Sequence, residues 1–145
     1  MVGMKNAHGS TVIPGVRYRD CVAAIEWLCN ALGFEKHAVY MNEDGTVMHA
    51  ELTHGSSGMI MLGSTENESP YKQYATTLDE TGGRETHSVA IIVEDCRAIY
   101  SRALGMNAEM VFELEKKPYG GEAFTCRDPE GYLWHVGSYD PWEKK

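Results

Sequence analysis

The feature that most constrains this sequence is that it repeats itself. Asp20-Cys21 followed by Ala31-Leu32-Gly33 in the first half is answered by Asp95-Cys96 followed by Ala103-Leu104-Gly105 in the second, and Gly63-Ser64 is answered by Gly137-Ser138. The step from Asp20 to Ser64 differs by a single residue from the step from Asp95 to Ser138. Such self-similarity marks a duplicated supersecondary unit. The order of elements repeats as well. Val12 to Tyr18 is a strand candidate, Asp20 suits a helix N-cap, and Cys21, Ile25, Leu28 and Leu32 form an apolar stripe of helical period that Gly33 ends. Strand candidates Phe34 to Met41, Thr46 to His54 and Met59 to Gly63 follow, separated by Asn42 to Gly45 and Gly55 to Gly58, whose residues suit tight turns. After a polar stretch from Ser64 to about Arg84, the spacing predicts a strand over Thr86 to Val93 and a helix from Asp95 to about Leu104. Strands near Glu109 to Glu115, Glu122 to Arg127 and Tyr132 to Gly137 complete the pattern. Each half reads βαβββ.

The chain therefore divides into a flexible arm over 1–10, a first module over 11–64, a linker over 65–84 and a second module over 85–145, together one structural domain. A four-stranded sheet carrying one helix has a second face that needs cover, and an equivalent sheet can supply it. Two curled sheets side by side would enclose a cleft. The linker is long by loop statistics, so the modules can pair within one chain or exchange between two, and a homodimer is expected.

Composition excludes several classes. Hydrophobic residues at 43% and charged residues at 23% are ordinary globular usage, which argues against disorder. No apolar run approaches the roughly 18 residues of a membrane span, and the first ten residues lack the apolar stretch of a signal peptide, so a cytoplasmic location is expected. A net charge of −8 is the wrong sign for a nucleic-acid partner. Cys21, Cys29, Cys96 and Cys126 have neither a Cys-x-x-Cys pair nor zinc spacing and read as buried free thiols. Nucleophile-elbow, phosphate-loop and dinucleotide motifs are missing from the sequence, which leaves hydrolysis by a serine nucleophile and nucleotide chemistry without support.

Two stretches carry a family resemblance: Tyr18 to Phe34, and Arg127 to Gly137 with its Asp128-Pro129-Glu130-Gly131 step. Pro129 presets the second position of a type I turn and Gly131 suits its end, so this step speaks for fold more than for chemistry. Over roughly Thr11 to Trp142 the chain resembles the vicinal oxygen chelate superfamily, which includes glyoxalase I, extradiol dioxygenases, and fosfomycin- and bleomycin-resistance proteins. It is most similar to the glyoxalase/bleomycin-resistance-like set. The resemblance implies an α+β fold in which two βαβββ modules, related by a pseudo-twofold axis, form curved mixed sheets around a cleft.

In metal-dependent members of that superfamily, ligands come from the first and last strand of each module. Carried over residue by residue, the resemblance places His87 and His135 at two such positions, and Ile13 and Met61 at the other two. Neither an aliphatic side chain nor a thioether suits a hard divalent ion. His49 and Glu51, alternating onto one face of their strand, are candidates to complete a depleted shell. Two readings stay open. In one, His87 and His135 hold zinc, nickel, iron or manganese for a lyase, isomerase or dioxygenase. In the other, no cofactor is present, the histidines bond to neighbours, and the cleft binds a small organic molecule by sequestration or with modest metal-independent chemistry.

The second reading is favoured by side chains suited to flat molecules. Met59 and Met61 share one face of their strand, Tyr132 and Trp134 one face of theirs, with Tyr119, Phe124 and Trp142 nearby. The candidate ligand-binding set is Met61, Met59, His49, Glu51, Tyr119, Phe124 and Trp134. His8 in the arm and His54 beside a turn read as solvated, and His37 as either packing or a cleft wall. Glu113 and Glu115 alternate around Leu114 as a solvated strand face would.

Overall fold

A computed structural model describes residues 9–143. The expected arm falls largely outside the described residues, His8 included; at its end, Ser10 N donates to Ser57 O at 2.8 Å. The first module runs β1 (Gly15–Tyr18), α1 (Cys21–Leu32), β2 (Glu35–Met41), β3 (Val47–His54) and β4 (Gly58–Ser64). The second runs β5 (Val89–Ile92), α2 (Cys96–Gly105), β6 (Glu109–Lys116), β7 (Glu122–Arg127) and β8 (Leu133–Gly137). The connection between them carries two short 3-10 turns, Pro70–Gln73 and Leu78–Thr81.

Both helices begin as the sequence predicts, with the Asp20 and Asp95 carboxylates accepting from Ala23 N and Ala98 N. Gly33 ends α1 in the left-handed region at φ 85°, its amide bonded to Leu28 O. Two strands start three residues later than expected. Pro14 has no amide to give a ladder, so β1 begins at Gly15, although Pro14 O still accepts from Met61 N at 3.0 Å. Thr86 and His87 form a bend, and β5 begins at Val89.

The sheets have equivalent orders, β1-β4-β3-β2 and β5-β8-β7-β6, each with one parallel pair at the first strand and antiparallel pairs elsewhere. Register makes positions correspond. Met61 lies between Gly15 and Glu51, and His135 lies between Ala90 and Thr125. Alternation then splits each sheet into two faces. Ala50, Leu52, Ile60 and Leu62 in the first sheet, and Phe124, Cys126, Trp134 and Val136 in the second, are buried in a single core shared by both modules.

The modules meet through α1 and α2. Arg102 on α2 donates to Cys29 O and Asn30 O at the C-terminus of α1, where a cation complements the helix dipole. The turn at Asp128 is a second fastening. Gly131 N closes it onto Asp128 O at 2.9 Å. The Glu130 carboxylate accepts from Arg19 N and Asp20 N, and Tyr132 donates its hydroxyl to Arg17 O.

Candidate functional site

Packing helix against helix leaves the opposite face of each sheet open. On the second sheet this face forms a cleft of about 440 Å³, lined by residues of the second module alone. Its floor is the cross-strand pair Thr125 and His135, whose Oγ1 and Nδ1 lie 2.8 Å apart. Gly137, on the same face two residues beyond His135, carries no side chain and keeps the floor open. Ile92, Phe112, Tyr119, Ala123 and Tyr139 supply apolar and aromatic walls.

One end of the cleft is built by a close approach. Gly121 adopts φ +70°, and a Cβ there would lie 2.8 Å from Tyr139 N, so the β6–β7 loop can lie against the C-terminal segment only with glycine at this position. That approach brings Tyr119 edge-on to Tyr139, ring centroids 5.0 Å apart. The rim charges are internally paired, Lys117 with Glu115 and Glu122 with Arg97. Below the floor, burial pushes the Cys126 thiol up to about 12, and burial likewise holds Cys96 at about 11. Neither is a nucleophile at neutral pH.

On the first sheet the open face carries Met59, Met61, His49 and Glu51, all half-buried. His49 Nε2 meets Glu51 Oε2 at 3.0 Å, and Tyr40 stacks on the His49 ring at 6.2 Å with planes 20° apart. Glu51 is the cross-strand neighbour of Met61.

The model of the Glyoxalase/Bleomycin resistance protein/Dioxygenase superfamily matches residues 11–136. The chain belongs to this superfamily. Solved structures of similar fold include TioX from Micromonospora sp. ML1, 28% identical with a TM-score of 0.68, covering 89% of this chain and 98% of that one. Another is a mutant of the fosfomycin resistance protein FosX from Listeria monocytogenes, complexed with Mn(II) and 1S,2S-dihydroxypropylphosphonic acid. It is 13% identical with a TM-score of 0.64, covering 91% of each chain, and at that identity the likeness concerns the fold alone. A superfamily member from Sphaerobacter thermophilus is 19% identical with a TM-score of 0.58, covering 88% of this chain and 97% of that one. Among curated proteins none matches the chain.

In this superfamily member the expected metal positions do not assemble a donor set. His87 sits exposed on the bend before β5, its Nδ1 3.3 Å from Thr86 Oγ1, and the residue that register places beside His135 is Ala90. Ile13 precedes β1, and the strand positions flanking Met61 are Gly15 and Glu51. Among the described residues no group of three or more His, Cys, Asp or Glu is placed to hold a metal ion, whereas catalytic sites keep about three protein ligands.

Of the expected wall residues, Tyr119 lines the cleft, while Met59, Met61, His49 and Glu51 share the other open face. Phe124 borders the cleft from within the core at 2% exposure, whereas Trp134 lies in the core at 1%, its ring edge-on to Phe34 and its Nε1 donating to Asp128. Alternation put Trp134 opposite His135, and the helix side of the sheet claimed it. Tyr132 packs against Tyr18, and Trp142 is 87% exposed. His54 is not simply solvated, since its Nε2 donates to Leu32 O at 2.7 Å and its ring packs on Phe34. His37 is exposed; Glu113 accepts from the Tyr100 hydroxyl, and Glu115 pairs with Lys117. The sequence reading missed Ile92, Phe112, Ala123 and Tyr139. For Ile92, Phe112 and Ala123 the signal was parity with His135 across three strands, which needs register to be read, and Tyr139 lies beyond the end of β8.

Proposed function

We propose that this protein binds a flat small organic molecule in the cleft above Thr125 and His135, acting by sequestration or by metal-independent chemistry. The observation that carries the reading is a single polar pair on an otherwise apolar, aromatic-walled floor. With His135 Nδ1 engaged by Thr125, Nε2 is left to orient one polar group of a ligand, while the walls supply burial. The reading extends to a cytoplasmic homodimer in which a second copy covers the open faces, because neither sheet covers the other within the chain. Four free thiols among the described residues suit a reducing compartment, and no described helix is long and apolar enough to cross a membrane.

The test is a thermal-stabilisation screen of catechols, thiol adducts and aromatic or glycopeptide drugs. A ligand at 100 times its Kd stabilises by about 2.7 kcal/mol. The expected result is a hit that is lost in Tyr119→Ala and His135→Ala and persists in chelator-treated protein. Hits that require added metal and vanish in His87→Ala would overturn the reading in favour of a metal-dependent lyase, isomerase or dioxygenase.

A further inference from the structure

The open face of the first sheet holds a pair whose chemistry differs from that of the cleft floor. His49 and Glu51 stand two residues apart on β3, so both project from the same face, and Nε2 meets Oε2 at 3.0 Å. A carboxylate offers only acceptors, so Nε2 carries the hydrogen of the neutral ring and Nδ1 presents the lone pair. Among the described residues Nδ1 has no hydrogen-bond partner. Tyr40, the cross-strand partner of His49, stacks over the ring and holds its plane. Met61 stands beside Glu51 across the ladder with Met59 two residues away, so the pair shares its face with two thioether side chains.

We propose that His49 and Glu51 form a general-base dyad that removes a proton from an activated C–H of a flat conjugated molecule. The inference rests on the proposed reading that a second copy covers the open face of each sheet. In the step, His49 Nδ1 forms an N–H bond as the C–H bond breaks, and the electron pair passes into the conjugated system or expels a leaving group from the adjoining atom. Glu51 is a positioning residue that fixes the tautomer and faces the imidazolium as it forms. Solvent then takes the proton and restores the base, with no oxidant, reductant or metal needed. Positioned bases of this kind contribute about 10²- to 10⁴-fold in well-built sites.

The probe is 5-nitrobenzisoxazole, a flat heteroaromatic whose ring opens when a base removes its single activated C–H: the N–O bond breaks and the electron pair ends on a coloured nitrophenolate. With the full chain, the expected rate per protein is at least about tenfold above that of free imidazole at equal concentration. His49→Gly and His49→Asn should return it to the buffer rate while melting as folded proteins, and added imidazole should restore the His49→Gly rate. Glu51→Gln should lower kcat with KM little changed, and His37→Ala, on the exposed β2 surface, should leave the rate alone. A wild-type rate no greater than free imidazole, or one untouched by both His49 variants, overturns the dyad. Saturation with probe reports the cover separately: a linear, histidine-dependent rate would count against a second copy enclosing this face while the dyad stands.

Discussion

Tyr18 donates its hydroxyl to Asp128 Oδ2 at 2.5 Å across the boundary between the two modules. The same oxygen accepts from Trp134 Nε1 at 3.0 Å, and Oδ1 takes the amides of Glu130 and Tyr132, so one buried carboxylate is satisfied from four directions. Removing one partner of such a group leaves the others unsatisfied. Tyr18→Phe should therefore cost about 1–3 kcal/mol in urea unfolding, and Asp128→Ala more, because it strands a hydroxyl, an indole N–H and two amides. The double variant should cost clearly less than the sum of the two; additive costs would show that the bond does not couple the modules.

The core thiols set an alkaline limit. Burial raises Cys21 and Cys126 from the ordinary 9.0 to about 12, and Cys96 to about 11. A raised folded value means that the stability these groups contribute is complete below the unfolded value and is lost as pH rises through the folded one. Urea midpoints should be flat with respect to these groups up to about pH 9 and should then fall toward pH ~12, less steeply in a Cys21→Ala/Cys126→Ala variant. Asp128 has the same sign: burial raises its carboxyl, so it is not the group that drives acid unfolding. Alkylation near neutrality, read by mass spectrometry, should label half-exposed Cys29 before the other three.

Gly121 tests the end wall of the cleft. At φ +70°, with backbone 2.8 Å from any added Cβ, Gly121→Ala must displace either its own loop or Tyr139. The expected outcome is a lowered Tm and a loss of about tenfold or more in affinity for whatever ligand the screen identifies, a factor worth about 1.4 kcal/mol. Unchanged affinity would detach the Tyr119–Tyr139 corner from the site.

Assembly is tested by charge on the open faces. Ile92→Arg and Met61→Arg, each on the face away from its helix, should remain folded and shift sedimentation from dimer to monomer, because an unpaired charge at a covered apolar surface is costly. A wild type that sediments as a monomer at micromolar concentration would remove the homodimer.

Register also names the substitutions that would create a metal site. Ala90 and Thr125 flank His135 on one face. Ala90→His with Thr125→Glu sets three nitrogen and oxygen donors side by side and should bind zinc far more tightly than wild type in calorimetric titration. Unchanged affinity in the folded variant would mean that this face cannot converge on an ion.

Much of the architecture was legible along the chain because it is local or periodic. The duplication, both Asp N-caps, the Gly33 stop, the order of strands and the Asp128 turn follow from residues a few positions apart, where backbone sterics and hydrogen bonding act without tertiary help. Only the tertiary structure decided which face of each sheet would be covered. Alternation separates Trp134 from His135 but does not say which side the helix takes, and packing sent Trp134 and Phe124 inward. It also decided what stands beside His135. His87 is the nearer match by residue type, yet a bend places it before the strand, and the parallel ladder sets Ala90 at the contact. Pairing across strands distant in sequence is set by register, and a single chain pattern carries faces without partners.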